Sequence, residues 1–394
     1  AIVKQLTICL ALESRFFTER TAMKIAQLSP LWESVPPQLY GGTERIVSYL
    51  TEELVRQGHD VTLFASGDSK TAARLKACCD RALRLHDNGM INRDAPNILM
   101  QEWALGAESG HYDVVHSHLD FLGFPMSRRA HAPVVTTLHG RLDLPELQPI
   151  FNEYSEMPVV SISNAQRKPL PDAKWAGTVY HGIPKDLYSR HDRPGSYLAF
   201  LGRISPEKCP DHAIEVAKRV GMPLRIAAKV DAADQAYFKQ KIERLLDHPL
   251  VEYVGEINDA EKNDFLGEAA ALLCPYDWPE PFGLVLIEAM ACGTPVLAYR
   301  QGSIPEIIDH GVTGYTCDNI AEMAQAVAGL PLIDRKRCRE VFEKRFTVER
   351  MAKDYLTIYE SMVAAPLRPR LLGRSASHAR GGAVHTLAPQ TDVA

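Results

Sequence analysis

The sequence lacks the features that define membrane-spanning, disulfide-bonded and dinucleotide-binding proteins. No apolar run approaches the ~20 residues needed to cross a bilayer. The eight cysteines form no C-x-x-C pair, which is typical of reduced thiols in a cytoplasmic protein rather than of a disulfide or zinc framework. No G-x-G-x-x-G follows a predicted strand, and this counts against a dinucleotide oxidoreductase. The net charge of −5 and the pI near 6.3 give no reason to expect nucleic acid as the main partner.

Length and pattern together predict the fold class. A chain of 394 residues is too long for one ordinary hydrophobic core, so two domains are expected. Short apolar strands alternate with helical patterns in both halves, which predicts an α/β protein with two doubly wound, parallel, Rossmann-like sheets facing across a cleft. The predicted units are an N-terminal extension outside the fold over 1–22, a first domain over 23–180, a second domain over 181–346, a last amphipathic helix over 347–365 and a disordered tail over 366–394.

The stretch 279–295, PEPFGLVLIEAMACGTP, carries the strongest functional signal. Glu280 lies just outside a predicted helix, and Glu288 lies two turns further on, on roughly the same side. The backbone amides at the start of this helix belong to Phe282, Gly283 and Leu284. Free amides favour an anion, so the pattern indicates a ligand with a phosphate for the amides and hydroxyls for the carboxylates. The alternative is a solvated Glu280 and a buried Glu288 in an ordinary helix.

Other strand ends carry groups suited to phosphate. Gly41 and Gly42 precede a helix, and glycines let backbone amides approach an anion closely, although two glycines also make a simple turn. Arg203 and Lys208 flank the loop after a buried strand, where two cations can clamp a diphosphate unless the loop is merely solvated. Lys229 ends the next strand, and it either adds charge at the phosphate or faces solvent.

Histidines end two apolar strands of the first half. His116 and His118 lie at i and i+2, but zinc needs three or four ligands and no third ligand is evident nearby. His139 ends the strand of PVVTTLHG. For His118 and His139 the alternative to a functional role is a structural histidine that caps a strand. These groups all fall at the carboxyl ends of predicted parallel strands, where doubly wound sheets bind ligands.

The pattern PxPFGxxxxEAMAxGxPV over 279–296 resembles the signature of the retaining GT-B glycosyltransferases of family 4, which move sugars from nucleotide-sugar donors. The resemblance extends over roughly residues 23–364 and rests on four separated motifs. It implies an acceptor-side first domain, a nucleotide-sugar-binding second domain and a last helix that crosses back to the first domain. Arg203 and Lys208 match the family's Gly-Arg and Glu-Lys-Gly patterns, although Cys209 replaces the second glycine and leaves the local turn open.

The resemblance also implies roles for individual residues. Glu288 would hold the ribose hydroxyls, and Glu280 would meet hydroxyls of the donor sugar. Arg203 and Lys208 would neutralise the leaving diphosphate, and His118, which matches the family's strand-end histidine best, would lie beside donor sugar and acceptor. The predicted catalytic residues are therefore His118, Arg203, Lys208 and Glu280. The predicted substrate-binding residues are Gly41, Gly42, His139, Lys229, Phe282, Gly283, Leu284 and Glu288.

The expected reaction moves a hexose from a nucleotide-diphosphate sugar to an acceptor hydroxyl by same-face attack. UDP-glucose and GDP-mannose are the commonest donors in the family. Because no two aspartates have the D-x-D spacing, we expect neither a metal nor another cofactor. The acceptor is a carbohydrate, a lipid-linked sugar or a small molecule, and the sequence determines neither peripheral membrane contact nor oligomeric state. The alternative functions are a nucleotide-sugar epimerase and a glycosyl phosphorylase on the same fold.

Overall fold

The structure, a computed structural model, describes residues 22–38, 41–85, 92–193 and 195–365. Apart from residue 22, the predicted extension lies outside the described residues, and so does the predicted tail over 366–394. The described chain forms two all-parallel sheets with helices packed on their faces. The predicted class, α/β with two doubly wound parallel sheets, is therefore confirmed.

Seven parallel strands form the first sheet: β1 (Lys24–Leu28), β2 (Asp60–Ser66), β3 (Arg74–Cys79), β4 (Val114–Ser117), β5 (Val134–Thr137), β6 (Val159–Ser161) and β7 (Trp175–Thr178). Their order across the sheet is β3-β2-β1-β4-β5-β6-β7. The direction of winding reverses between β1 and β4, and the register there pairs Gln27 with His116. Such a switch point opens a crevice at the carboxyl ends of the strands.

Six parallel strands form the second sheet: β8 (Tyr197–Arg203), β9 (Leu224–Lys229), β10 (Val251–Gly255), β11 (Ala269–Cys274), β12 (Val296–Tyr299) and β13 (Gly314–Cys317). Their order is β10-β9-β8-β11-β12-β13, which repeats the winding of the first sheet with a switch point between β8 and β11. The first five residues of β8 are all buried. A continuous apolar run of this kind is expected for a strand covered by helices on both faces.

The α-helices of the described residues are α1 (Gly42–Arg56), α2 (Asp94–Gln101), α3 (Phe124–Ser127), α4 (Leu147–Glu153), α5 (Asn164–Arg167), α6 (Pro210–Val220), α7 (Gln235–Tyr237), α8 (Asp259–Gly267), α9 (Leu284–Ala291), α10 (Ile304–Ile307), α11 (Ile320–Ala328), α12 (Arg335–Arg345) and α13 (Val348–Ala364). None of these helices combines the length and the apolar character that crossing a bilayer requires. The amphipathic ones bury one side against a sheet, as the helical period of their apolar residues dictates.

Helix α13 follows the second domain in the chain but packs into the core of the first. Its buried Met351, Tyr355 and Tyr359 recur at the i, i+4 spacing of one helix face. They share an apolar cluster with Ile25 of β1 and Val114 of β4. The end of the chain that follows the second sheet thereby covers one face of the first sheet.

The two segments that cross between the domains lie side by side. Ile183 N donates to Phe346 O at 3.0 Å, and Val348 N donates to Ile183 O at 3.0 Å. Gly182 permits this approach, because a Cβ at that position would lie 2.2 Å from Thr347 O. The paired crossings fix the place at which the two sheets are joined and thus the position of the cleft between them.

Candidate active site

A cavity of about 440 Å³ lies between the two sheets, within the range of about 300–1,000 Å³ usual for small-ligand sites. It lies at the carboxyl ends of strands from both sheets. Residues of both domains line it. Those predicted from the sequence that do so are Gly41, Gly42, His139, Arg203, Lys208, Lys229, Glu280, Phe282, Gly283, Leu284 and Glu288.

The loop before α9 fixes Glu280 in the cavity wall. Ser303 N donates to the backbone carbonyl of Glu280 at 2.9 Å. Gly302 allows the two loops to meet, because a Cβ there would lie 2.4 Å from the same carbonyl oxygen. The carboxylate accepts hydrogen bonds from the Trp278 indole at 3.0 Å and from Lys208. Backbone and side chain of Glu280 are therefore both held before any ligand arrives.

Helix α9 points its N-terminus into the cavity. Gly283, the residue before the helix, has φ 85° and ψ 79°, a conformation that glycine adopts without steric cost. Phe282 and Leu284 line the cavity on either side of it. The first amides of an α-helix lack partners within the helix, and its dipole favours an anion there. This end of α9 is suited to an oxygen of a phosphate or a sugar.

Glu288 of α9 presents one occupied and one open carboxylate oxygen. The residue is 2% exposed. Its Oε1 accepts from Lys262 Nζ at 3.0 Å and from the Tyr188 hydroxyl at 3.5 Å. Its Oε2 has no hydrogen-bond partner among the described residues. A buried acceptor without a partner is costly, so a ligand hydroxyl that reached this oxygen would supply the missing hydrogen bond.

The predicted cation clamp lies beside Glu280. Lys208 pairs with this carboxylate, and its ammonium lies 3.9 Å from the centroid of the Tyr276 ring. The Nη2 atom of Arg203 donates to Glu207 Oε1 at 2.7 Å. Both cations line the cavity, and each already has an acidic partner. An anionic ligand would have to share or exchange these partners.

Cys209, directly after Lys208, has a backbone conformation that glycine adopts more readily than other residues. Its φ of 47° and ψ of 55° are left-handed, a conformation that costs a residue with a Cβ about 1–2 kcal/mol. This chain therefore makes a left-handed turn beside Lys208 without a glycine. The thiol lies within 4.8 Å of possible metal-binding atoms of Asp211 and His212. Burial raises the pKa of the Cys209 thiol to about 11, and a protonated thiol is a poor metal ligand.

The glycine loop forms the facing part of the first-domain wall. A Cβ on Gly41 would lie 2.8 Å from Pro37 Cβ, so this position requires a residue without a side chain. A Cβ on Gly42 would lie 3.7 Å from a methyl carbon of Leu284 at the start of α9. Arg45, in the first turn of α1, pairs with Asp259 of the second domain. The loop therefore lies directly opposite the helix end that is suited to phosphate.

His139 lines the cavity, whereas His118 lies behind it. His118 is 1% exposed, and its Nδ1 lies 2.9 Å from His139 Nε2. Burial lowers the pKa of His139 to about 3 and lowers the pKa of His118 well below its usual value. Both imidazoles are consequently neutral at physiological pH. His118 is therefore connected to the cavity only through His139. The sequence could not show which of these two histidines lines the cavity.

Acidic and basic side chains of the first domain complete the wall. Glu33 and Glu44 line the cavity together with Arg84. Arg84 Nε lies 2.7 Å from Glu33 Oε1. Burial is the main cause that raises the pKa of both carboxyl groups. Glu33 and Arg84 belong to no sequence motif, and Glu44 lies in the first turn of α1, just after the glycine loop. All three became candidates only through their position in the cavity wall.

Lys262 is the functional residue that sequence reasoning missed most clearly. It lies in α8, contacts Glu288 and also lies 3.3 Å from Asp259 Oδ1. The one sequence feature that could have indicated a role for Lys262 is its place in the first helix after β10, at the carboxyl edge of the second sheet. That signal is shared by many solvated lysines, so it could not have singled this residue out.

Two family models match the chain, and together they cover both domains. The model described as Glycosyl transferases group 1 matches residues 189–344, and that of Glycosyltransferase Family 4 matches residues 40–199. The N-acetyl-alpha-D-glucosaminyl L-malate synthase of Bacillus anthracis is 30% identical over 284 residues, which are 63% of this chain and 73% of that protein. The phosphatidyl-myo-inositol mannosyltransferase of Mycobacterium leprae is 24% identical over 378 residues, with 87% and 98% of the two chains covered.

Solved structures agree on the architecture. Sucrose-phosphate synthase of Thermosynechococcus elongatus superposes with a TM-score of 0.70 at 18% identity, covering 87% of this chain and 99% of that one. Anabaena HepE in complex with UDP and glucose gives a TM-score of 0.68 at 18% identity, covering 86% and 100%. At these identities the likeness shows the fold, which is GT-B. With the family matches, it follows that the chain belongs to glycosyltransferase family 4, the glycosyl transferases of group 1, and is a glycosyltransferase.

Proposed function

We propose that this glycosyltransferase moves a hexose from a nucleotide-diphosphate sugar of the UDP-glucose or GDP-mannose type to an acceptor hydroxyl with retention of configuration. The observation that carries the proposal is the unpartnered Oε2 of the buried Glu288, a residue that lines the same cavity as two cations and a helix N-terminus. A ligand that satisfies all three must offer hydroxyl donors and a phosphate. A nucleotide-diphosphate sugar has both.

The donor is held by two carboxylates on the second-domain wall. Glu288 accepts hydroxyl groups of the ribose at its open oxygen, while Lys262 keeps the other oxygen in place. Glu280 accepts hydroxyl groups of the sugar. The amides at the start of α9 meet phosphate or sugar oxygens, because the positive end of the helix dipole lies there.

The reaction breaks the bond between the anomeric carbon and the diphosphate oxygen before the new bond is complete. Arg203 and Lys208 stabilise the negative charge that develops on the departing diphosphate, which is electrostatic catalysis by preorganised groups. The acceptor oxygen attacks the oxocarbenium-like carbon from the face that the diphosphate leaves. Its proton passes to a departing phosphate oxygen, and the products are the glycoside and the nucleoside diphosphate. In this scheme Glu280 positions the sugar and is not a nucleophile.

We propose that no metal takes part, since the clamp supplies two positive charges at the position of the leaving group. The proposal predicts full transfer activity in enzyme treated with EDTA and freed of chelator and metal. Activity that is lost on this treatment and returns only with a divalent cation would contradict it. The first-domain wall with Glu33, Glu44 and Arg84 is the proposed acceptor side, and it suits a hydroxyl-bearing carbohydrate, lipid-linked sugar or small molecule.

Thermal unfolding with UDP, GDP, ADP and their sugars, in wild type and in Glu288→Gln, tests the donor site. We expect one nucleotide sugar to stabilise the wild type, by about 2.7 kcal/mol at 100 times its Kd. The matched substitution keeps the shape of the side chain but weakens hydroxyl binding, so the shift should shrink. If no nucleotide stabilises the wild type, the proposed donor class is wrong.

Product analysis separates transfer from the alternative activities. With the donor identified above and an acceptor panel, the anomeric configuration of the product is read by proton NMR, and retention is expected. Incubation with donor alone should give only slow hydrolysis. An epimerised nucleotide sugar under these conditions would identify an epimerase, and sugar 1-phosphate formed with inorganic phosphate would identify a phosphorylase.

A further inference from the structure

A chain of buried polar side chains leads from the cavity into the first sheet. His139 lines the cavity, and its Nε2 lies 2.9 Å from His118 Nδ1. On the far side of His118, Nε2 lies 2.9 Å from the side-chain oxygen of Gln27. Gln27 is fully buried in β1. Each step is of hydrogen-bond length, so the imidazole at the cavity is connected to an amide in the core.

The chain continues from Gln27 to helix α13. The amide nitrogen of Gln27 lies 3.2 Å from the hydroxyl of Tyr359, which lies 2.6 Å from His116 Nδ1. His116 Nε2 lies 2.7 Å from the hydroxyl of Thr137, and that hydroxyl lies 2.9 Å from the hydroxyl of Tyr355. All five side chains are 0% exposed. We call the whole chain the relay; its members are His139, His118, Gln27, Tyr359, His116, Thr137 and Tyr355.

Every histidine of the relay is neutral, so each has one N–H donor and one bare nitrogen. Burial lowers the pKa of His116 and His118 well below the usual value and that of His139 to about 3. A neutral imidazole that accepts at one nitrogen must donate at the other. A hydroxyl of the relay can accept from both neighbours only if its own proton is left without an acceptor. The orders that avoid such a break have all protons pointing toward the cavity or all pointing toward α13. The choice of direction sets the tautomer of His139.

The buried end of the relay decides between the two directions. The Tyr355 hydroxyl has no hydrogen-bond partner among the described residues other than Thr137. If protons point toward α13, Thr137 donates to Tyr355, and the phenol proton of Tyr355 is buried without an acceptor. An unsatisfied buried donor costs about 1–3 kcal/mol. If they point toward the cavity, Tyr355 donates to Thr137 and every proton in the core has an acceptor.

The cavity-directed order requires one carboxamide orientation. Gln27 must donate to His118 and accept from Tyr359, which exchanges the positions of its amide nitrogen and oxygen. These two atoms are nearly alike in size, so the exchange leaves the packing unchanged and the hydrogen-bond network decides the orientation. His118 then donates from Nδ1 to His139 Nε2. The Nδ1 of His139 carries the proton at the end of the relay.

We propose that the relay holds His139 as the Nδ1–H tautomer, with Gln27 as the positioning residue that makes this imidazole a hydrogen-bond donor toward the cavity. A donor at this position binds an oxygen of the ligand that lies between the two walls. The inference about the tautomer does not depend on the proposed reaction. Its consequence for catalysis rests on the proposed function.

Imidazole nitrogen NMR of the full-length protein tests the tautomer directly. With 15N-labelled histidine and resonances assigned through His139→Gln, we expect wild-type His139 to show a protonated Nδ1 and a bare Nε2. We expect Tyr355→Phe to keep this tautomer, because the Thr137 hydroxyl then ends the relay and its proton has an acceptor only at His116 Nε2. A wild-type His139 protonated at Nε2 would overturn the proposal, as would an Nε2–H tautomer in folded Tyr355→Phe.

Tyr299→Phe is a matched control. Tyr299 also has its hydroxyl bonded to a histidine, at 3.1 Å from His212 Nδ1, but lies outside the relay. The control should leave the resonances of His139 unchanged, and a change there would show that loss of any such hydroxyl disturbs the protein broadly. Gln27→Glu, which can only accept when ionised, should turn His118 toward Gln27 and give His139 the Nε2–H form. Retention of Nδ1–H in this variant would contradict the role of Gln27.

Transfer kinetics with the same variants give the functional readout. We expect Gln27→Glu to lower kcat about two- to ten-fold, the worth of one neutral hydrogen bond, with no change in donor-induced thermal stabilisation. An unchanged kcat alongside a changed tautomer would show that His139 does not donate in the reaction. An absence of donor binding in the wild type would instead reject the proposed function and leave the tautomer result standing.

Discussion

On the second-domain wall of the cleft, Lys208 pairs with Glu280 and Lys262 pairs with Glu288, whereas the imidazole of His139 on the first-domain wall is hydrogen-bonded to the neutral imidazole of His118. Both arrangements hold polar groups where water is scarce. The charged pairs attract each other strongly, but either charge becomes costly if its partner is lost. The neutral relay avoids that cost, and its geometry depends on hydrogen-bond direction instead.

The contrast matches the ligands that the two walls are proposed to bind. A cation that is paired with a carboxylate can exchange this partner for a diphosphate. The cation then stabilises the negative charge that develops on the diphosphate during the reaction. A neutral imidazole can bind a hydroxyl oxygen without attracting the diphosphate away from the clamp. If the proposed function holds, the paired charges would meet the diphosphate of the donor and the imidazole of His139 would meet a hydroxyl oxygen.

The largest effect is expected from Lys208→Met. The substitution removes a charge from the clamp and leaves the Glu280 carboxylate buried beside Trp278. We expect kcat to fall about 10²- to 10³-fold, the usual cost of losing a group that stabilises developing charge. Steady-state transfer assays at saturating donor measure it. Lys218→Met is the control, because Lys218 lies outside the cavity and 4.0 Å from Glu215. Equal losses in both variants would contradict a special role for Lys208.

The second prediction concerns stability. Lys262→Met leaves Glu288 buried without its 3.0 Å ammonium partner, so we expect the free energy of unfolding to fall by about 3 kcal/mol. Urea denaturation of the ligand-free protein measures this. Adding Glu288→Gln should recover most of the loss, because the uncompensated charge disappears. A double variant as unstable as Lys262→Met would show that packing, not charge, holds this pair.

Lys218→Met is the matched control for that experiment. Lys218 lies 4.0 Å from Glu215, and both side chains are more than a third exposed. Surface pairs of this kind contribute about 0–1 kcal/mol. The free energy of unfolding should therefore change little. A loss as large as that of Lys262→Met would remove the distinction between buried and exposed pairs on which the second prediction rests.

The neutral imidazole of His139 predicts a pH dependence of stability. Burial lowers the pKa of His139 to about 3, while in the unfolded chain a histidine has a pKa of about 6.5. Between these values the unfolded state binds more protons, so stability falls as pH falls. From pH 7 to pH 5 we expect His139 to account for a loss of about 2 kcal/mol. Urea denaturation at both pH values, in wild type and His139→Gln, isolates this contribution, and equal pH dependence in the two proteins would refute it.

More of the fold than of the site could be predicted from the sequence. Alternating strands and helices specify two parallel sheets, and the groups at 279–288 and 203–208 were expected at strand ends because ligands bind there. The direction of a side chain at a strand end was not predictable. His118 and His139 each end an apolar strand, and only the packing of the sheet shows that one lies behind the other. Lys262 had no local signal, since its importance arises from contact with Glu288, which lies 26 positions away in the chain.

The smallest effect is expected from Cys209→Gly, which restores the residue that the family pattern has after Lys208. Glycine removes the left-handed strain of about 1–2 kcal/mol but adds about 0.5–1 kcal/mol of unfolded-state entropy. It also loses the contact of the thiol with Pro206 O at 3.1 Å. These terms nearly cancel, so the free energy of unfolding should change by less than about 1 kcal/mol. Transfer activity should also be unchanged, because the turn that aims Lys208 at Glu280 is the same for both residues.

Cys209→Val is the informative contrast, since a β-branched residue disfavours positive φ. If the valine variant lowered kcat while donor-induced stabilisation persisted, the aim of Lys208 would depend on this one backbone angle. Equal activity of the glycine and valine variants would show that the clamp tolerates a different turn.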